Sequence, residues 1–238
     1  MPDFADIWSY LARGPLLWLT LTLVAYSVAD LIAEQAGRKP LANPVLIAVI
    51  LLAAMLWATG TPYAVYFEGA QFVHFLLGPA TVALAVPLYL QGARLRRAIL
   101  PVFAGLACGS VVAITSALAI ARALGVDAQT LASLAPKSTT APVAIGIAQS
   151  LGGSPTLAAV LVILTGITGA LIVTPLMNAL RITDWRARGL AVGTAAHGIG
   201  TARALQVNPT AGAFAGIGMG LNAMLTALIA PAILKLFL

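Results

Sequence analysis

The chain has 238 residues, of which 61% are hydrophobic and 8% are charged, and its mean hydropathy is +0.99. Because soluble domains carry about 25% charged residues, this composition excludes a soluble protein and predicts one whose solvent is lipid. At roughly 20 residues per helical crossing, the length allows about seven or eight membrane elements. We therefore predict an all-α fold, a polytopic bundle of membrane helices that forms a single domain over residues 1–238.

The positive charges lie in small clusters between the hydrophobic runs, and the net charge is +6. The clusters are Arg38/Lys39, Arg94/Arg96/Arg97 and Arg181/Arg186/Arg188. Such an arrangement is typical of the positive-inside pattern of membrane proteins. We therefore expect the lipid bilayer as a partner, and no nucleic acid.

Four hydrophobic runs are long enough to cross a bilayer as continuous helices. In chain order they are Leu16–Ala33, Ala98–Leu124, Leu157–Leu180 and Ala211–Leu238. A shorter helix, Asn43–Ala58, is predicted to begin with Asn43 and Pro44, since proline is tolerated in the first turn. Asn222, inside the last run, is interpreted as a polar contact between helices, and the alternative is that it lines a cavity.

Three other hydrophobic segments are interrupted by proline or glycine together with hydroxyl residues. They are Tyr63–Leu90, Thr130–Leu151 and Arg188–Leu205. The interruptions free backbone N–H and C=O groups, which survive at membrane depth only when buried in protein or lining a wet cavity. Broken elements of this kind indicate the binding site of a transporter.

The interrupted segments also suggest a weak internal repeat, in which one broken element is followed by one long helix. An offset of 57 residues pairs Pro79 with Pro136, Thr81 with Ser138 and Gly109 with Gly166. Two topologies remain open. Either Tyr63–Leu90 spans the bilayer while Thr130–Leu151 re-enters it, which places all three positive clusters in the cytoplasm, or both segments re-enter and form an inverted pair.

Lys137 is the first candidate for binding chemistry. It is flanked by Pro136 and by the hydroxyl residues Ser138, Thr139 and Thr140. A lysine at the centre of a membrane helix costs on the order of 2.5–3.5 kcal/mol, so a cation kept there predicts a polar cavity. Freed N–H groups of Ser138, Thr139 and Thr140, at the start of the following half-helix, would add donors for an anion. The alternative is a lysine at the membrane interface whose stem extends outward.

A second candidate group lies in the segment from Gly193 to Arg203. Arg203 is a permanent cation that can hold a carboxylate through two parallel hydrogen bonds, and His197 could transfer a proton coupled to transport. Thr201 belongs to the same group. Thr81, in the earlier broken segment, is a neutral candidate, and the alternative is that the small residues around it allow close helix packing. Alternatively, His197 is a packed helix residue and Arg203 an interfacial anchor.

Enzyme signatures are absent from the sequence. It contains no HExxH motif, no cysteine pair and no glycine-rich loop before a lysine. We therefore expect no catalytic site, no cofactor, no metal site and no ATP-driven mechanism within this chain.

Three stretches resemble the LrgB/CidB family of bacterial membrane proteins. They are Leu76–Tyr89, Pro136–Ala144 and Gly193–Ala204. The two later stretches are long and carry charged residues in apolar surroundings. The departures from the family pattern, at Thr139, Ala196 and Gly198, remove no charge.

The resemblance implies two alternative functions and a location in the bacterial inner (plasma) membrane as a multi-pass protein. Bacterial members are described as holin-like or antiholin-like proteins that affect murein hydrolases and act with a small LrgA/CidA-like membrane partner. A plastid relative transports glycolate and glycerate, and related bacterial systems are linked to pyruvate uptake. We expect a secondary transporter of such small monocarboxylates, coupled to a proton or another cation and assembled as a homo-oligomer, a dimer. The alternatives are a regulator of murein hydrolases and a holin-like pore.

Overall fold

The computed structural model describes residues 14–83, 89 and 98–238, and the regular structure within those residues is helical. The predicted positive cluster at Arg94, Arg96 and Arg97 lies outside them. Backbone contacts divide the chain into two compact units, Met1–Ala80 and Thr81–Leu238. Four of the described helices are long and apolar enough to cross a membrane. They correspond to the four continuous helices predicted from the sequence, so that prediction is confirmed.

The described residues of the first unit form three helices, α1 (Pro15–Gln35), α2 (Pro44–Thr59) and α3 (Tyr63–Phe75). The short helix α4, Leu77–Ala83, follows at the boundary of the units. As predicted, α2 begins at Asn43, whose side-chain oxygen accepts hydrogen bonds from the N–H groups of Val45 and Leu46.

An aromatic contact joins α1 and α3. Trp18 is fully buried, and its ring meets that of Tyr66 edge to face at a centroid distance of 5.9 Å. The hydroxyl of Thr22 donates a hydrogen bond to the Tyr66 oxygen over 3.2 Å. Edge-to-face packing adds about 0.5–1.5 kcal/mol to the burial of such rings, so this contact is a specific link between the two helices.

From residue 98 onward, the second unit consists of three long helices and the broken segments between them. In chain order its helices are α5 (Ile99–Ala123), α6 (Ala128–Leu134), α7 (Ala141–Ser150), α8 (Pro155–Ala179), α9 (Trp185–Val207) and α10 (Pro209–Leu234). The starts of α8 and α10 are encoded locally by a capping residue followed by proline. Ser154 caps α8 and Asn208 caps α10.

α5 and α10 are parallel to each other. Val102, near the start of α5, packs against Phe214 near the start of α10. At the other end, Leu118 packs with Ala230. The two ends of the second unit are named after α5. The starting end is the end at which α5 begins, and the finishing end is the end at which α5 terminates.

The helices α6 and α7 form a hairpin, called here the first hairpin. The backbone N–H of Ser154, just after α7, donates to the hydroxyl of Ser133 near the end of α6 over 2.8 Å. Leu131 and the partly buried Leu151 pack into the cluster at the finishing end of α5. The predicted segment Thr130–Leu151 is therefore broken, and it begins and ends at the finishing end of α5. Both predicted topologies contain this re-entrant arrangement.

The helix α9 is a second hairpin rather than one rod. A straight 23-residue helix would separate Trp185 from Val207 by roughly 33 Å, yet both residues line one small cavity. Val192 and Ala204 likewise share one core cluster. The cause is a break at Ala196 and His197, where the backbone angles are not helical.

The two halves of the second hairpin run in opposite directions along α10. The outgoing half passes so close that a Cβ atom at Gly193 would collide with the carbonyl oxygen of Ala215. Only glycine permits this approach. On the returning half, Thr201 lies near Met219 and Leu205 near Gly212. The second hairpin therefore enters from the starting end of α5, opposite to the first.

Candidate functional site

The tips of the two hairpins meet at the side chain of Asn222. This amide lies near the middle of α10 and is 1% exposed. Its Nδ2 donates to the backbone oxygen of Ser138 in the first hairpin over 3.0 Å, and to that of Thr194 in the second over 3.1 Å. Near the middle of α5, the hydroxyl of Ser110 donates to Asn222 Oδ1 over 2.5 Å. One amide thus joins both hairpins and α5.

The first tip comprises residues 135–140, between the end of α6 and the start of α7. Pro136 and Pro142 disfavour a continuous helix here. The N–H of Lys137 donates to the oxygen of Leu134, and both the N–H and the hydroxyl of Thr139 donate to the oxygen of Pro136. The N–H of Thr139 is therefore used within the turn, contrary to our expectation of a free donor.

Lys137 lies at this first tip and is partly buried. Its ammonium group donates to the hydroxyl of Ser138 over 3.1 Å. Ser138, Thr139 and Thr140 are buried, and the hydroxyl of Thr140 has no hydrogen-bond partner among the described residues. The tip therefore combines one cation with a buried hydroxyl that has no partner among the described residues.

The second tip comprises residues 194–198 and contains a strained histidine. His197 has φ 39° and ψ −133°, a conformation that costs of order 1–3 kcal/mol for a residue with a side chain. Its Nε2 lies 2.8 Å from the backbone oxygen of Val162 in α8. Because a carbonyl can only accept, the ring N–H donates in this bond, and it ties the second tip to α8. The hydroxyl of Thr201 donates to the oxygen of His197 over 2.7 Å.

Arg203 lies away from the tips. It follows His197 by six residues on the returning half, roughly 9 Å along a helix. With Trp185 and Arg188 it lines the small cavity at the base of the second hairpin. Lys137, Ser138 and Thr140 thus share one tip, and His197 occupies the other, while Arg203 lies near the starting end of α5.

Helix ends add to the electrostatics of the junction. α7 begins at the first tip, and the returning half of α9 begins at the second. A helix N-terminus carries about half a positive charge and presents free N–H groups. α6 and the outgoing half of α9 end at the same tips, so the helix termini there carry both signs. The features of the junction that suit an anion are therefore the ammonium of Lys137 and the free N–H groups at the two helix starts. Within the described residues, no three His, Cys, Asp or Glu side chains come close enough to hold a metal ion.

Three residues at the junction were not among the predicted site residues: Ser110, Thr194 and Asn222. Asn222 was predicted as a contact between helices, with cavity lining as the alternative, and an amide within an apolar run is a visible signal. Ser110 and Thr194 look like ordinary small residues of a membrane helix. The side chain of Thr81 and residues 84–88 of the first family motif lie outside the described part of the chain.

The fold and the site define the class of the protein, a helical membrane protein in which two hairpins meet at a polar junction between long apolar helices. The particular family follows from comparison with known proteins. The model of the LrgB-like family matches residues 22–236, and the chain belongs to this family. The resemblance found in its motifs is thereby confirmed.

The relatives match over nearly their whole length. The holin-like protein CidB of Staphylococcus epidermidis is 33% identical over 221 residues, covering 93% of this chain and 96% of the relative. The uncharacterized protein YxaC of Bacillus subtilis is 36% identical over 219 residues, covering 92% and 95%. CidB of Staphylococcus aureus is 32% identical over 222 residues, covering 93% and 96%. No solved structure matches the chain significantly.

Proposed function

We propose that the junction of the two hairpin tips binds a small organic monocarboxylate and that the chain moves it across the membrane as a secondary transporter. The observation that carries this proposal is the amide of Asn222, which holds Ser138 and Thr194 together near the middle of α10. Broken helices that meet near the middle of the membrane are the form that binding sites take in many secondary transporters.

The charge at the junction determines the sign of the ligand. Lys137 is the cation at the junction, and no acidic side chain among the described residues forms an ion pair with it. A carboxylate would offset the cost of keeping the ammonium out of water, which is on the order of 2.5–3.5 kcal/mol. The unpartnered hydroxyl of Thr140 could donate to the same ligand. Glycolate, glycerate and pyruvate are the acids to test, following the family resemblance.

The opposed hairpins offer a route to alternating access. Each reaches the junction from one end of the second unit, so withdrawal of one tip would open the site to that end alone. The bounds of the two hairpins differ by the same offset, 57 residues from Ala128 to Trp185 and from Ser150 to Val207. We infer an inverted internal repeat, in which each unit is one hairpin followed by one long helix.

The location, the oligomeric state, the partner and the driving ion also belong to this proposal. We propose that the protein lies in the bacterial inner membrane with several spans and forms a homo-oligomer, a dimer. An LrgA/CidA-like membrane protein is the proposed partner. A proton or another cation would supply the driving force, because the sequence contains no ATP-binding motif.

The second candidate is a holin-like protein, or an antiholin-like regulator of murein hydrolases. It rests on the names of the relatives in both Staphylococcus species, which are holin-like proteins. None of the relatives described above is named as a transporter. The comparisons therefore support this candidate more directly than the transporter, whose support comes from the geometry of the site.

Flux in proteoliposomes separates the two candidates. The purified protein is reconstituted with and without an LrgA/CidA-like partner, and uptake of labelled glycolate, glycerate and pyruvate is measured beside release of a trapped dye. A transporter gives uptake that saturates with substrate and retains the dye, whereas a pore gives linear flux and releases it. Lys137→Ala should abolish uptake, and Lys235→Ala, an exposed lysine at the end of α10, serves as the matched control. If the protein neither binds nor takes up any of the three acids in the presence of the partner, the transporter proposal is wrong and the holin-like function remains.

A further inference from the structure

The side chain of Asn222 uses its donors on the hairpins and its acceptor on α5. A primary amide offers two N–H donors and one carbonyl oxygen. Nδ2 donates to the oxygens of Ser138 and Thr194, and Oδ1 accepts from Ser110. These partners come from three separate elements of the second unit. An amide that only filled space between two helices would not connect all of them.

We infer that Asn222 is the positioning residue of the anion site and that Ser110 orients it. Because the Ser110 hydroxyl donates to Oδ1, the Nδ2 end must face the two hairpin carbonyls. The reversed amide would place an oxygen against two other oxygens. Ser138 is next to Lys137 in the chain and close to the start of α7, so fixing its carbonyl fixes both the ammonium and the helix terminus. The effect on ligand binding rests on the proposed function.

Nearly isosteric variants separate this role from simple packing. Asn222→Asp keeps the shape and an acceptor for Ser110 but has no N–H donors when ionised, and Asn222→Leu removes every polar atom. Thr226→Val is the matched control. Thr226 lies one turn further along α10, and its hydroxyl donates only a long hydrogen bond of 3.5 Å to Oδ1, so its loss leaves the Ser110 bond and both Nδ2 bonds to the hairpins in place. We expect both Asn222 variants to raise KM for the transported acid ~10-fold or more with kcat little changed, because two buried carbonyls lose their donor. Ser110→Ala should raise KM by a smaller factor, and Thr226→Val should leave it unchanged.

A second experiment measures whether Asn222 holds the two hairpin tips together, and it requires no transport. Thr139 is 0% exposed at the first tip, so a cysteine there reports whether the tips separate. Thr139→Cys is introduced into a Cys108→Ala background, which removes the single native cysteine. The rate of its modification by N-ethylmaleimide in detergent is measured in this background alone, with Asn222→Asp added, and with Thr226→Val added as the control. We expect ~10-fold faster modification when the donors are lost, as local opening grows with the energy removed.

The two readouts distinguish failure of the inference from failure of the proposed function. A raised KM and faster modification with Asn222→Asp support the inference in full. Faster modification in a protein that neither binds nor moves an acid supports Asn222 as the tie between the tips and overturns the anion site. Asn222→Asp that matches the wild type in both KM and modification rate overturns the inference. If Asn222→Leu fails to fold, Asn222→Asp and Ser110→Ala still decide the question.

Discussion

The imidazole of His197 lies in space that exists only because residue 166 is glycine. A Cβ atom at Gly166 would lie 2.6 Å from Cε1 of the ring and 2.8 Å from its Nε2. The same ring nitrogen lies 2.8 Å from the backbone oxygen of Val162, one turn earlier in α8. The glycine therefore allows the ring to reach the helix backbone, and this contact holds the second tip in its strained conformation.

Gly166→Ala should displace the histidine ring and loosen the second tip. Overpacking of a tight contact costs typically about 1–3 kcal/mol, so we expect a lower melting temperature in detergent and weaker substrate binding. Gly146→Ala is the control, because a Cβ atom there meets nothing within 4 Å and Gly146 is also helical. Equal melting temperatures for the two variants would show that the ring position tolerates the added methyl group.

The start of α9 provides a prediction outside the membrane-spanning segments. Asp184 caps this helix, and its side chain accepts from both the backbone N–H and the guanidinium of Arg186. These hydrogen bonds, that of the Arg186 side chain first, lower the pKa of Asp184 to about 2. Because the folded-state pKa is depressed, the stabilisation is fully present above the unfolded value of about 4 and is lost as the pH falls toward about 2.

The Asp184→Ala variant should therefore be destabilised at neutral pH by about 0.5–2 kcal/mol, the usual value of a helix cap. Asp184→Asn retains a capping oxygen and should lose less. The difference between wild type and Asp184→Ala should shrink as the pH falls from about 4 to about 2, as measured by thermal melting in detergent. A difference that stays constant over this range would mean that the carboxylate charge contributes nothing.

Much of the fold follows from local sequence, and the junction does not. Hydropathy predicts the long helices because lipid demands apolar side chains along a whole span. The two prolines around Lys137 predict the break in the first hairpin. The glycines and hydroxyl residues of Arg188–Leu205 predict the break at His197 as well, and the break is found there. The sequence does not predict that α9 reverses direction, because the reversal depends on glycines such as Gly166 and Gly193 that let α8 and α10 approach. Asn222 lies 84 residues from Ser138 and 28 from Thr194 along the chain, so only the folded chain shows that one amide serves both.

His197 can be tested for the predicted transfer of a proton. In His197→Gln, the amide can still donate to the oxygen of Val162 but cannot take up a proton at neutral pH. We expect substrate binding to be largely retained and uptake to lose its dependence on an inward proton gradient. His197→Ala also loses the hydrogen bond to Val162, so it should lose both substrate binding and the dependence of uptake on the proton gradient. Uptake by His197→Gln that still follows the gradient would leave His197 as an anchor of the second tip only.

Lys137 and Arg203 should differ in their contribution, because one cation lies at the junction and the other lines a cavity at the base of the second hairpin. Lys137→Ala removes the charge beside Ser138 and should weaken binding of the carboxylate by ~10-fold or more, as expected for a hydrogen bond to a charged group. Lys137→Arg keeps the charge and should recover part of the loss. Arg203→Ala should weaken binding less and act mainly on the rate of uptake, since it lies roughly 9 Å along the helix from His197. Isothermal titration of purified protein with each acid, beside uptake in proteoliposomes, measures both quantities. An Arg203→Ala variant that loses binding as completely as Lys137→Ala would place the carboxylate at the base of the second hairpin instead of at the junction.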